Sequence, residues 1–251
     1  FQFLIIAALC LVDPTTKVND GIVEMSDIVF GTSAENSTLH QNLLMDVAFP
    51  ASADTNLPAV IYIHGGGWAK GKRQDGQRVM NILAKGVYFV ATIDYRLTAE
   101  GGGFPNAVQD CNAAIKFLKS NSQSLGIDNT KIGLVGHSAG GHLAMLCALG
   151  SGTAILDGVI NGVDESTKVT CVATISGAVM PEKSERKGSQ FNEWATQHGH
   201  ASAQSYPSTY IDSADPPVYL LCGGRDTICP SSNSKEFSKK LAKAGVDSEI
   251  E

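Results

Sequence analysis

The stretch LVGHSAGGHLA, residues 134–144, sets a serine among glycines, directly after the apolar run KIGLV and directly before GGHLAMLCAL. Strand, G-x-S-x-G, helix is an order with a physical requirement: the chain must reverse within two residues, and only small neighbours allow it. Gly136 and Gly140 stand where a larger side chain would clash. Ser138 is therefore expected to project above the end of a sheet at a helix N-terminus, whose free amides favour developing negative charge. In that context it reads as a nucleophile, with a plain helix cap as the alternative.

Outward from this turn the chain alternates. PAVIYIHG (58–65), VYFVATIDY (87–95), KIGLVG (131–136), KVTCVATISG (168–177) and PPVYLLCGG (216–224) are short continuous apolar runs, the pattern of strands buried on both faces. Helical patterns lie between and after them at 106–122, 139–150 and 232–245. The alternation predicts right-handed crossovers and an α/β fold with a mostly parallel central sheet and helices on both faces. GIVEMSDIVF and LLMDVAF precede the first parallel strand and read as an antiparallel edge. A polar segment, about 178–212, interrupts the rhythm and is expected to form a small cap over the strand ends, where open α/β sheets bind ligands.

The chain has 251 residues, 43% of them apolar and 18% charged, with a net charge of −6. This is one domain's worth of core, spanning 21–251, and the negative balance argues against nucleic-acid or anionic-membrane partners. The apolar run Phe3–Val12 is too short for a stable membrane span, which takes about 20 residues. Residues 1–20 resemble a secretory signal without its basic start, which predicts a secreted or periplasmic protein; a buried N-terminal strand of a cytoplasmic one is the alternative. The six cysteines show no zinc spacing. Cys111, Cys147 and Cys171 read as small packed hydrophobes, and Cys222 with Cys229 as a pair that an oxidising compartment could bridge.

A second motif, HGGGW, His64–Trp68, closes the first parallel strand. Glycine amides left free after a strand can donate to an oxyanion, an effect worth roughly 3 to 4 kcal/mol per donor. The backbone amides of Gly66, Gly67 and Ala139 are the expected oxyanion hole. Taken together, HGGGW, DYRL (94–97), FPNAVQD (104–110), GHSAGG and DPPVYLLCGGRD (215–226) resemble the α/β-hydrolase serine esterases of the hormone-sensitive-lipase-like group. The likeness is greatest to bacterial carboxylesterases that remove acetyl (as acetyl xylan esterases do) or feruloyl groups from plant polysaccharides. It covers roughly residues 22–251. It implies that Asp226, in the loop after the next-to-last core strand, is the catalytic acid, and that Asp94 and Asp215 are structural. Trp68 and Tyr95 are assigned to the substrate cleft, with packing beneath it as the alternative.

Serine needs an imidazole base, and this fold orders the triad Ser, Asp, His. No histidine follows Asp226. His40 lies in the leading strands, His64 is expected to brace the glycine loop, His137 is too close in sequence to turn onto its neighbour, and His142 points along the helix. His198 and His200, in the cap, are the remaining candidates, with a solvated loop as their plainer reading. The resemblance implies a histidine directly after the strand that VDSEIE begins, so the base is expected beyond Glu251. The last strand and histidine loop would then be incomplete and the chain as written nearly inert, since loss of the base costs about 10⁶ in turnover.

The expected activity is hydrolysis of a small-molecule or carbohydrate ester through an acyl-enzyme, with no metal and no organic cofactor. A formamidase and a prolyl-oligopeptidase-like peptidase are rivals within hydrolases; a catalytically inactive binding module on the same scaffold is the rival outside them. Nothing in the sequence speaks to oligomeric state.

Overall fold

The computed structural model describes residues 15–33, 42–53, 55–158, 165–183, 190–196 and 202–251. Nine strands form one sheet: β1 Thr15–Asn19, β2 Ile22–Thr32, β3 Asn42–Pro50, β4 Leu57–Ile63, β5 Phe89–Ile93, β6 Ile127–His137, β7 Cys171–Ile175, β8 Val218–Leu221 and β9 Ser248–Ile250. Their order across the sheet is β1-β2-β3-β5-β4-β6-β7-β8-β9. The first three run antiparallel to one another and β3 runs antiparallel to β5. From β5 to β9 every pairing is parallel. The expected α/β fold with a mostly parallel sheet and an antiparallel leading edge is what forms.

Five helices of seven residues or more accompany the sheet among the described residues: α1 Gln77–Ala84, α2 Asn106–Ser120, α3 Ala139–Leu149, α4 Gln190–Thr196 and α5 Ser231–Ala244. All eleven residues of α3 are buried. A helix apolar all round has no face to offer water, so it packs on all sides. α5 is amphipathic instead, burying Ser234, Phe237 and Leu241 and ending at Gly245, whose left-handed φ of 85° suits a residue without a Cβ.

Several details differ from, or add to, the sequence reading. Thr15–Asn19, within the stretch read as signal-like, pairs with β2 as an edge strand exposed at every residue. β6 begins at the buried Ile127, four residues before the apolar run, from which it is separated by the polar stretch Asp128–Thr130. Cys171 is exposed rather than packed, while Cys111 and Cys147 are buried. The region 178–212 holds short 3-10 turns and the single helix α4 where it is described.

Two buried charge clusters fix the loops around the first parallel strands. Arg73, just after the glycine loop, reaches Asp46 (2.8 Å), Asp94 (2.5 Å) and Asp27, joining β3, the end of β5 and a bulge in β2. Arg96 grips Asp110 of α2 through Nε (2.8 Å) and a terminal nitrogen (2.7 Å), with its own amide on the same carboxylate at 2.9 Å. Burial pushes the Asp110 carboxyl up and the guanidinium opposes it. A bidentate pair of this kind is held in a defined geometry, which suits a strut better than a source of net stability.

Candidate active site

The register of the parallel strands brings four loops to one level. Ile63 of β4 pairs with Gly136 of β6, and His137 pairs with Ile175 of β7, which in turn pairs with Leu221 of β8. The chain therefore leaves the sheet at His64, Ser138, Ser176 and Cys222 along one rim, the C-terminal edge where open parallel sheets place their ligands.

Ser138 takes φ 53° and ψ −117° between β6 and α3, a conformation that a non-glycine residue holds only when its surroundings over-determine it. Those surroundings are specific. Its amide donates to Ile175 O at 3.0 Å, and its carbonyl accepts from the amides of His142 (3.2 Å) and Ala178 (3.1 Å). A Cβ on Gly136 would lie 2.3 Å from Gly140 O, and one on Gly140 would lie 2.1 Å from Ile63 O. Both glycines are steric requirements of the turn.

The glycine loop folds against this elbow. Gly66 and Gly67 have φ of 125° and 61°, and Ala69 and Lys70 both donate to Gly66 O. Among the described residues no acceptor stands opposite the amides of Gly66 or Gly67. Ala139 is the first residue of α3, a position whose amide has no partner within its own helix. Gly65, to which the sequence assigned no role, also lies close to the elbow: a Cβ there would meet His137 Nδ1 at 2.8 Å and Ser138 Cβ at 3.1 Å. His64 braces the loop as expected, its Nδ1–H donating to Gly65 O at 2.7 Å, and burial lowers its pKa.

Tyr95 and Trp68, read as cleft residues, lie beneath the site. The Tyr95 ring stacks on His64 with centroids 4.3 Å apart and its hydroxyl donates to His64 O at 3.1 Å. Trp68 is buried in an aromatic cluster, stacked on Trp194 of α4 (5.7 Å) and edge-on to His142 (5.4 Å). Tyr95 thus braces His64 at the start of the glycine loop, and Trp68 anchors the loop's end among Phe191 and Trp194 of α4 and His142 of α3.

Asp226 sits in the loop after β8. Its Oδ1 accepts from the amides of Cys229 and Ile228, both at 2.9 Å. These two hydrogen bonds, with smaller help from Ser176 and His137, hold the carboxyl below its ordinary pKa and keep it ionised. The Cys222–Cys229 bridge is not formed; both thiols are free. Cys229 is buried and its thiol contacts the Ser138 hydroxyl, with burial and the neighbouring Asp226 charge raising its pKa to about 11. It stands on the ground between serine and aspartate, and nothing in its sequence context announced that.

No imidazole hydrogen-bonds Ser138 among the described residues. His142 is fully buried with its Nε2–H on Ser205 O at 2.8 Å, and burial lowers its pKa to about 4. His137 is exposed. His40, His198, His200 and the apolar run Phe3–Val12 lie outside the described residues. Among the described residues there is no group of three metal-ligating side chains, and no helix is long and apolar enough to cross a membrane.

Comparison with known proteins follows the same lines. The BD-FAE family profile matches residues 45–241. Esterase LipQ of Mycobacterium tuberculosis is 27% identical over 234 residues, which are 89% of this chain and 54% of that protein. An arylesterase of Saccharolobus solfataricus is 40% identical over a shorter stretch of 96 residues, 38% of this chain and 31% of its own. The chain spans about half or less of the length of these curated relatives. Among solved structures, a truncated carbohydrate esterase from gut microbiota superposes with a TM-score of 0.77 at 20% identity, covering 94% of this chain and 89% of that one. Esterase 2 of Thermogutta terrifontis, phosphonylated by sarin, gives 0.78 at 20% identity over 95% and 82%.

Proposed function

The chain belongs to the BD-FAE family of α/β-hydrolases, and from that premise we propose that it carries the site of a serine carboxylesterase acting on short-acyl or aromatic-acyl esters, acetyl and feruloyl groups on plant polysaccharide among them. The observation that supports this most directly is the strained Ser138 elbow lying against the glycine loop, with the ionised Asp226 on the same rim. The esterase relatives support the reaction class; the acyl group and the alcohol rest on the resemblance of the motifs.

The chemistry needs four parts. Ser138 Oγ attacks the ester carbonyl as an imidazole, oriented by Asp226, takes its proton. The new oxyanion is held by the amides of Gly66, Gly67 and Ala139. The C–O bond to the alcohol breaks as the imidazolium returns the proton to the leaving oxygen, and water, activated by the same base, releases the acid and regenerates serine. The imidazole is the part that the described residues do not supply. Secretion to the cell exterior or periplasm is part of the same proposal and rests on the run Phe3–Val12.

The test uses the whole protein expressed from its complete coding sequence. A fluorophosphonate probe should label it at Ser138, Ser138→Ala should abolish labelling, and acetyl and feruloyl esters should be cleaved in preference to aryl formamides and peptides. Labelling elsewhere, or activity on amides alone, refutes the esterase reading.

A further inference from the structure

Two polar side-chain atoms in the cluster beneath the site have no protein partner. Trp68 Nε1 and His142 Nδ1 are both fully buried and unpaired among the described residues. They belong to neighbouring rings, with centroids 5.4 Å apart and planes at 87°. Leaving one such group unmet costs about 1–3 kcal/mol, so two in adjacent rings call for a cause.

Their chemistry is complementary. The indole nitrogen can only donate. The tautomer of His142 follows from its other nitrogen: Nε2 faces a carbonyl, Ser205 O, at 2.8 Å, so Nε2 carries the proton and Nδ1 of the neutral ring is an acceptor. The surrounding rings, Phe191 and Trp194, have nothing to offer Nδ1: Phe191 has no polar atom, and Trp194 Nε1 is committed to Gly102 O at 2.7 Å. A water molecule satisfies one donor and one acceptor at once, and buried waters sit where otherwise unpaired polar groups converge.

We propose that Trp68 Nε1 and His142 Nδ1 bind one buried water molecule, accepting from the indole and donating to the imidazole. The water ties the glycine loop, which Trp68 closes, to α3, which Ser138 opens. Through Nε2 and Ser205 the same imidazole extends the tie to the 3-10 turn Ser202–Ser205. Only the catalytic meaning of this bridge rests on the esterase reading; the water site itself does not, and its test reads no activity.

Trp68 and Trp194 are the chain's two tryptophans, so protein labelled with nitrogen-15 in its indoles gives two side-chain N–H signals, assigned with Trp68→Phe. The expected result is a rotating-frame Overhauser cross peak from the Trp68 indole proton to water and none from Trp194, the internal control. His142→Phe keeps a ring but removes the acceptor and loses the cross peak. His142→Asn, whose amide oxygen stands near the Nδ1 position, keeps it. Absence of the cross peak in the parent protein, or its survival in His142→Phe, overturns the proposal. If His142→Phe does not fold, the nitrogen-15 shift of Nδ1 in the parent protein decides: a hydrogen-bonded acceptor supports the bridge and a free one refutes it.

Discussion

Acidification is expected to destabilise this fold through one buried imidazole. His142 has a pKa of about 4 in the folded chain, lowered chiefly by burial, against 6.5 for an unperturbed histidine. The sign follows from the depression: the folded state holds the ring neutral, so the unfolded chain binds the extra proton as pH falls. The stability is complete above pH 6.5, falls between 6.5 and 4, and is constant again below. Linkage with these two values gives a loss on the order of 2 to 3 kcal/mol between pH 7.5 and pH 4.5, a large share of a typical domain's total. The assay is urea unfolding of the parent and of His142→Phe at several pH values in that window. His64, whose pKa is also lowered, acts in the same direction in both proteins, so the difference between the two curves isolates His142. The variant starts lower, because Ser205 O loses its donor, and then falls less steeply. Parallel curves would refute the reasoning, since they would mean that position 142 takes up no proton on unfolding.

Other expectations concern the rim and its supports. On the proposed esterase mechanism, Asp226→Asn in the whole protein should lower kcat by about 10⁴ with little change in KM, because the carboxylate would orient the base rather than the substrate; an effect on KM alone counts against that role. Gly65→Ala places a methyl 2.8 Å from His137 Nδ1 and 3.1 Å from Ser138 Cβ, whereas a Cβ on Gly224 meets nothing within 4 Å. Steady-state kinetics should therefore show at least a tenfold loss for the first, about 1.4 kcal/mol and within the usual cost of overpacking, and near-parent activity for the second. Arg73→Met leaves three carboxylates facing one another; with Asp46 buried but Asp27 and Asp94 partly exposed, the expected loss in thermal unfolding is about 2 kcal/mol, below the full cost of an orphaned buried charge. Adding Asp46→Asn to Arg73→Met should restore part of it.

What the sequence disclosed and what it withheld divide along physical lines. β4 to β8 were legible because parallel strands buried on both faces are written as continuous apolar runs, and the Ser138 elbow because only glycine tolerates the approaches at 136 and 140. Thr15–Asn19 was illegible because a strand exposed at every residue has no periodicity to read. Trp68 and Tyr95 stayed open between cleft lining and support, since a ring beside a glycine loop can face up or down; in the structure both are buried, Trp68 against Phe191, Trp194 and His142, all distant in sequence, and Tyr95 against His64. The Ser138–Cys229 contact and the approach of Gly65 join loops from different strands, so strand register, not local pattern, creates them.

The burial of α3 bears on which parts of this fold are free to vary. Each of its residues packs against the core, so a substitution anywhere along it disturbs stability and the serine turn together. α4 and the 3-10 turns of 202–209 combine buried anchors, Phe191 and Trp194 against Trp68 and Ser205 under His142, with partly exposed residues between them. On the proposed esterase reading, the exposed residues of these segments can vary while their buried anchors and the Ser138 turn are kept. On the esterase reading, a mutational library meant to shift substrate preference would spare residues 136–149 together with the buried Phe191, Trp194 and Ser205 and concentrate on the exposed positions of 178–183 and 202–212, where the proposed reaction and its specificity would be inherited separately.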